Sequence, residues 1–297
     1  MLRLVVVVFL LVLVAACSRT QLAYRNADRL LEYYAGRTLD ISRTQREQWQ
    51  PMLAATLQRH RDSELAYLVT YLDIAGRLVN EQGDVAGADC LVDGALRVSQ
   101  QHARLAVDLA VPLLADLDQS QFEHLSAYTA KRQHKLAERY LNPDPELRKK
   151  SRHRRFNERV EKWIGRINPH QQVLVDEALQ RIPDVTSFWL AYREQQNTAL
   201  LDMLAAGTDA EALQPFLNSW WVEWEGRSTD YVQSWRIARL EFATFLDRLG
   251  DTLTPKQREK VVKRLSGLRE DLAEFLPPEA VPVSMSTVAS ACVASGV

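Results

Sequence analysis

The chain has 297 residues, with 37 Lys plus Arg against 38 Asp plus Glu and a formal net charge of −1. No overall charge draws it to a polyanion, so nucleic acid is not an expected partner. Three cysteines exclude a disulfide framework, and eleven Gly and eleven Pro fall mostly between periodic segments, as punctuation does in an all-helical chain.

The first element is an export signal. Met1-Leu2-Arg3 is a short basic start, Leu4 to Val14 is unbroken apolar sequence, and Ala15-Ala16 are small residues directly before Cys17. The apolar run is too short for a membrane span, which needs about 20 residues, but suits a signal core of about 7–15. Val14-Ala15-Ala16-Cys17 resembles a bacterial lipobox. The resemblance implies a lipoprotein signal peptide over residues 1–16, cleavage before Cys17 and acylation of Cys17, palmitate included. Ser18 in place of Asp implies the outer membrane, with the body facing the periplasm. The expected partners are the membrane, through the lipid at Cys17, and envelope proteins. With Cys17 used, Cys90 and Cys292 remain for at most one disulfide.

Helical spacing begins at Leu22 and runs through Tyr24, Leu30, Leu31 and Tyr34 to a stop at Gly36. Ser42-Arg43-Thr44-Gln45 reads as a capping box, in which the Ser42 hydroxyl and the Gln45 side chain each accept from the other's backbone N–H. The helical region it opens reaches Gln82, with a kink or division expected at Pro51. Gly83-Asp84 is a stop and a new cap. A third helix runs from Leu91 to about Pro112, and Asp118 to Gln121 opens a fourth that ends at Leu141. Asn142-Pro143-Asp144-Pro145 is the clearest linker.

The second half repeats this punctuation. Gly165 echoes Gly36, Asn168 to Gln171 echoes Ser42 to Gln45, Gly207-Thr208-Asp209 echoes Gly83-Asp84, and Thr254 to Gln257 echoes Asp118 to Gln121. The offsets stay within about 124–136 residues, which predicts a duplicated unit. The expected fold is all-α, a helical bundle of two related four-helix units. Residues 17–141 carry the lipidated N-terminus and the first unit, 142–276 the second, and 277–297 form a loose tail.

No HExxH, CxxC pair, phosphate-cradling glycine loop or GxSxG occurs, so no catalytic residue, metal site or cofactor is expected. Leu217, Trp221, Trp224, Ser228, Tyr231, Trp235, Ala238, Phe242, Phe245 and Leu249 alternate by four and three, a helical seam if Gly226 sits within the helix. Trp220, beside the seam, is a candidate exposed ring for a peptide or glycan. Arg148 to Arg155 is the strongest charge run. A solvated helix face accounts for it, and Arg152, Arg154 and Arg155 are also candidates for contact with anionic headgroups or phosphates. His60 and Glu64 lie one turn apart, but two ligands without a third read more simply as a polar cluster.

Two resemblances add to this. Leu253-Thr254-Pro255-Lys256-Gln257 looks like the LTxxQ motif of the Spy-like periplasmic chaperones, with Ser42, Asp118 and Asn168 opening weaker variants. Over the mature chain, Tyr24-Arg25-Asn26-Ala27-Asp28, Ser42 to Gln45 with Trp49, Gln58-Arg59-His60-Arg61 before Glu64-Leu65, Pro112-Leu113-Leu114 before Asp118 to Gln121, and Trp163-Ile164-Gly165 before Asn168 to Gln171 resemble an uncharacterised family of proteobacterial outer-membrane lipoproteins. That resemblance implies location and helical build and carries over no site residue. The function expected is a non-catalytic protein-interaction or envelope-maintenance role. A client-binding chaperone and an envelope enzyme or glycan binder are the alternatives.

Overall fold

Four helices of the chain begin in one way. Ser42, Asp118, Asn168 and Thr254 lie in extended backbone, and each side chain accepts from the backbone N–H of the glutamine three residues on. Gln45, Gln121, Gln171 and Gln257 accept in return from the cap N–H at 2.9–3.1 Å. Two otherwise orphaned donors are satisfied at each helix start. Pro169 and Pro255 occupy the first helical turn, where a missing N–H removes no bond.

The computed structural model describes residues 19–80, 87–141 and 144–278. Among them all regular structure is helical. In chain order the helices are α1 (Arg19–Arg25), α2 (Ala27–Leu39), α3 (Arg43–Arg59), a π-turn (His60–Glu64), α4 (Leu65–Asn80), α5 (Ala88–Ala115), α6 (Gln119–Tyr140), α7 (Pro145–Ile164), α8 (Pro169–Arg181), α9 (Thr186–Ala205), α10 (Ala210–Leu217), a second π-turn (Asn218–Glu223), α11 (Thr229–Asp251) and α12 (Pro255–Ala273). No helix among the described residues is long and apolar enough to cross a membrane. The signal peptide, Cys17, Gly83-Asp84, Asn142-Pro143 and the tail from Glu279 with Cys292 lie outside the described residues.

Three local expectations are revised. α2 does not stop at Gly36: it continues to Leu39, whose side chain is buried in a core, and Asp40 closes it in the left-handed region with φ 53°. Pro51 lies inside α3 without dividing it, and the interruption comes later, at the π-turn. The aromatic seam is not one helix. Trp224 is left-handed with φ 56°, Gly226 has φ 75°, and Ser228 starts α11 by accepting from the Tyr231 N–H, so the stripe passes from the second π-turn to a separate helix.

Two apolar cores result. The first gathers Leu39, Trp49, Leu53, Val107 to Leu114 of α5, Leu125, Leu200, Leu213, Leu217 and Val222. The second gathers Ala75, Val160, Ile164, Leu174, Val175, Phe245, Leu249, Val261 and Leu265. Neither is confined to one side of residue 142. α4 packs along α12, and α9 packs along α6, so each half of the chain lends a helix to the other. The 28-residue α5 spans both, at about 1.5 Å per residue. Leu91 near its start lies against the second core and its last turns lie in the first. Gly94 lets α4 approach it: a Cβ there would meet Tyr71 ring carbons at 2.7 and 2.9 Å.

Candidate functional site

The capping glutamines also join helices. Gln45 and Gln121 face each other, each amide nitrogen donating to the other's Oε1 at 3.1 and 2.7 Å. Gln45 Nε2 also donates to Asp116 O at 2.7 Å, and Gln121 Nε2 to Asp40 O at 3.0 Å. Gln171 and Gln257 repeat the arrangement, with mutual bonds of 2.9 and 3.0 Å and further donation to Thr252 O and Arg166 O. Every one of these carbonyls lies two residues before the partner's cap. All four side chains are buried, Gln171 completely. Each Oε1 accepts at least twice and each Nε2 donates at least twice, so a buried amide pair is fully satisfied.

This explains a choice that capping alone leaves open. Glu serves the third position of a capping box as well as Gln, yet a carboxylate cannot donate to a carbonyl. The sequence shows four boxes. Their uniform glutamine was the signal that they pair, and the spacing of single boxes could not reveal it.

A second cluster ties α1 to the body. Tyr24 Oη lies 2.8 Å from His60 Nδ1, His60 Nε2 lies 2.9 Å from His102 Nε2, and His102 Nδ1 lies 2.7 Å from Val98 O. Val98 O can only accept, which assigns the protons along the row: His102 Nδ1–H donates to it, His60 Nε2–H donates to His102 Nε2, and the Tyr24 hydroxyl donates to His60 Nδ1. The π-turn carries His60, α5 carries His102, and Phe275 beyond α12 packs at a tilt against Tyr24 with centroids 4.5 Å apart. Arg25 pairs with Glu274 at 3.6 Å. Burial, then His102 and Arg61, push His60 down to about 4, and burial raises Tyr24. His60 is therefore a neutral member of a latch in which every ring nitrogen of the two histidines is in use.

Glu64 does not join His60; its carboxylate accepts from the Ser63 hydroxyl instead. No group of three or more potential metal ligands occurs among the described residues. His102, 42 residues from His60, is the partner the sequence did not point to.

The charge run is divided by its neighbours. Arg152 is half-buried and donates to Leu179 O and Ile182 O at the end of α8, while burial lowers its pKa. Arg155 donates to Ser151 and lies over the Tyr140 ring at 4.9 Å. Arg154 is exposed beside Glu158, 3.8 Å away. Trp220 is half-buried against the first core, between Phe216 and Trp221 at 6.0 and 5.9 Å. A surface cleft of about 480 Å³ runs between α6 and α9, lined by Ala130, Gln133, His134, Ala137, Leu190 and Glu194 among others. Cys90 is buried and disulfide-bonded.

The model of a family of unknown function, DUF6279, matches residues 37–224, from the last turn of α2 to Trp224. No curated protein and no solved structure matches the chain.

Proposed function

The chain belongs to DUF6279, a family of unknown function, and on that premise we propose that it is an outer-membrane lipoprotein, acylated at Cys17, whose periplasmic body is a non-catalytic interaction platform. The observation that carries this is the short, latched connection behind the lipobox. α1 begins at Arg19, two residues after Cys17, and Tyr24 and Arg25 tie it to His60, Phe275 and Glu274. A body held that way stays within a few ångströms of its acyl chains, where envelope partners are met, and two acyl chains suffice for stable attachment. Two related units, each closed by one glutamine pair and exchanging α4 for α9, are the architecture of this platform.

The chaperone-like alternative rests on the LTxxQ resemblance. Gln257 of that motif is engaged by Gln171 and Arg166 O, so the motif is accounted for by helix docking.

The test is the mass of the N-terminal peptide from membrane-extracted protein. A peptide starting at acylated Cys17 is expected, and an unmodified Cys17 in the mature chain would overturn the reading. The same digest without reduction is expected to link Cys90 to Cys292. A link between Cys90 and Cys17 would count equally against acylation. In-cell crosslinking and pull-down from the Cys17-anchored form should then return a specific envelope partner.

A further inference from the structure

α2 has an apolar face that no other described residue covers. Tyr33 and Tyr34 are each 58% exposed and Leu30 is 42% exposed. At about 100° per residue, Arg29, Tyr33, Arg37, Leu30 and Tyr34 occupy one arc of roughly 140°, opposite buried Leu39 and Ala35, which packs on the first core. That arc holds two arginines, both exposed, and no carboxylate. The acidic residues of α2 fall on the opposite arc by spacing, Asp28 exposed in the first turn and Glu32 half-buried, where Glu32 accepts from Gln50 Nε2 at 2.9 Å.

A soluble helix of a helical bundle places its charges of both signs outward and its apolar residues inward. Here the outward arc combines two tyrosines and a leucine with cations alone. This is the pattern of a helix lying at a lipid interface, where tyrosine rings sit at headgroup level and arginines meet anionic lipid. The position of the face in the chain names the occupant. Ala27 starts α2 ten residues after Cys17, and seven of those residues are wound into α1, so the face lies within about 25 Å of the anchor point by helical rise and extended reach. Leu22, on the intervening α1, is also 58% exposed.

We propose that the outward face of α2, formed by Arg29, Leu30, Tyr33, Tyr34 and Arg37, seats on the anionic surface of a phospholipid bilayer and orients the body on it. The proposal rests on the lipid anchor for its biological setting, yet the face itself can be tested without acylation. Acylation is a weak guide to orientation because a single attachment point leaves the body free to pivot. A second, non-covalent contact on α2 removes that freedom.

The experiment uses the mature full-length chain carrying Cys17→Ser, sedimented with vesicles of phosphatidylethanolamine and phosphatidylglycerol or of phosphatidylcholine alone. Binding to the anionic vesicles is expected, weakening with salt. Leu30→Ser/Tyr33→Ser/Tyr34→Ser should weaken it at least tenfold, with helicity by circular dichroism unchanged because the three side chains are exposed. Arg29→Gln/Arg37→Gln, which disturbs no packing, should abolish the preference for anionic over neutral vesicles. Lys149→Gln/Lys150→Gln/Arg154→Gln on α7 should bind as the parent does. Equal binding by the α2 variants and the parent, or loss of binding in the α7 variant instead, would overturn the proposal. Loss of acylation at Cys17 leaves this result standing, so the two failures are separable.

Discussion

His60 Nε2 and His102 Nε2 stand 2.9 Å apart and share one proton. A further proton on His60 Nδ1 ends its acceptance from the Tyr24 hydroxyl and puts a charge into a site that burial and Arg61 disfavour. His60 is depressed in the fold to about 4 from an ordinary 6.5, by burial first and then by His102 and Arg61. Between those values the unfolded chain holds the proton more tightly than the folded one. The latch is therefore at full strength above about pH 6.5 and weakens as pH falls toward about 4, by about 1–2 kcal/mol after allowance for its partial exposure. The protection of α1 amides relative to their intrinsic exchange rates is expected to fall between pH 7 and pH 5, with the dependence flattened in His60→Gln. Protection that ignores pH would refute the proton assignment.

Gln171 is the most buried of the four clasp residues. Gln171→Glu keeps an acceptor for the Asn168 N–H but removes both donors, leaving a carboxylate facing Thr252 O and Gln257 Oε1. A loss of about 2–5 kcal/mol in urea unfolding is expected. A carboxyl in that site has its folded pKa raised, so stability recovers as pH falls and the carboxyl protonates, opposite in sign to the His60 effect. A variant as stable as the parent at pH 7 would show that the clasp contributes nothing.

Gly94→Ala places a methyl against the Tyr71 ring, whose hydroxyl is held by Leu91 O at 2.8 Å and cannot swing freely. Overpacking of this kind costs about 1–3 kcal/mol. Thermal unfolding should show the loss. Gly76→Ala, where the Cβ meets nothing within 4 Å, should instead be neutral or slightly stabilising.

Arg152 and Arg154 are two residues apart and should behave differently. Arg152→Ala leaves the Leu179 and Ile182 carbonyls without their guanidinium and is expected to destabilise by about 1–3 kcal/mol. Arg154→Ala removes only an exposed pair with Glu158 and should change stability by less than about 0.5 kcal/mol. Chemical denaturation of both variants checks the contrast.

These contrasts mark what the sequence could disclose. Capping at Ser42, Asp118, Asn168 and Thr254 is local chemistry and was legible residue by residue. Helix class followed from the same signals. Gly36 misled because the stop was judged without knowing that Leu39, three residues on, has a core to enter. The pairing of Gln45 with Gln121 spans 76 residues and that of His60 with His102 spans 42, and no local pattern encodes either distance. Arg152 and Arg154 look alike in a charge run because periodicity does not reveal which one lies beneath the end of α8. The polarity of α2 was available in the spacing of Leu30, Tyr33, Tyr34 and Arg37, but only the burial of Leu39 shows which side is outward.

The exchange of α4 and α9 has a thermodynamic corollary. Removing the first core strips α9 from its contacts, and removing the second strips α4, so neither can melt while the other stays whole. Despite two cores, the chain should unfold in one calorimetric step with equal van't Hoff and calorimetric enthalpies. A single proteolytic cut between the halves should leave the fragments associated, each completing the other.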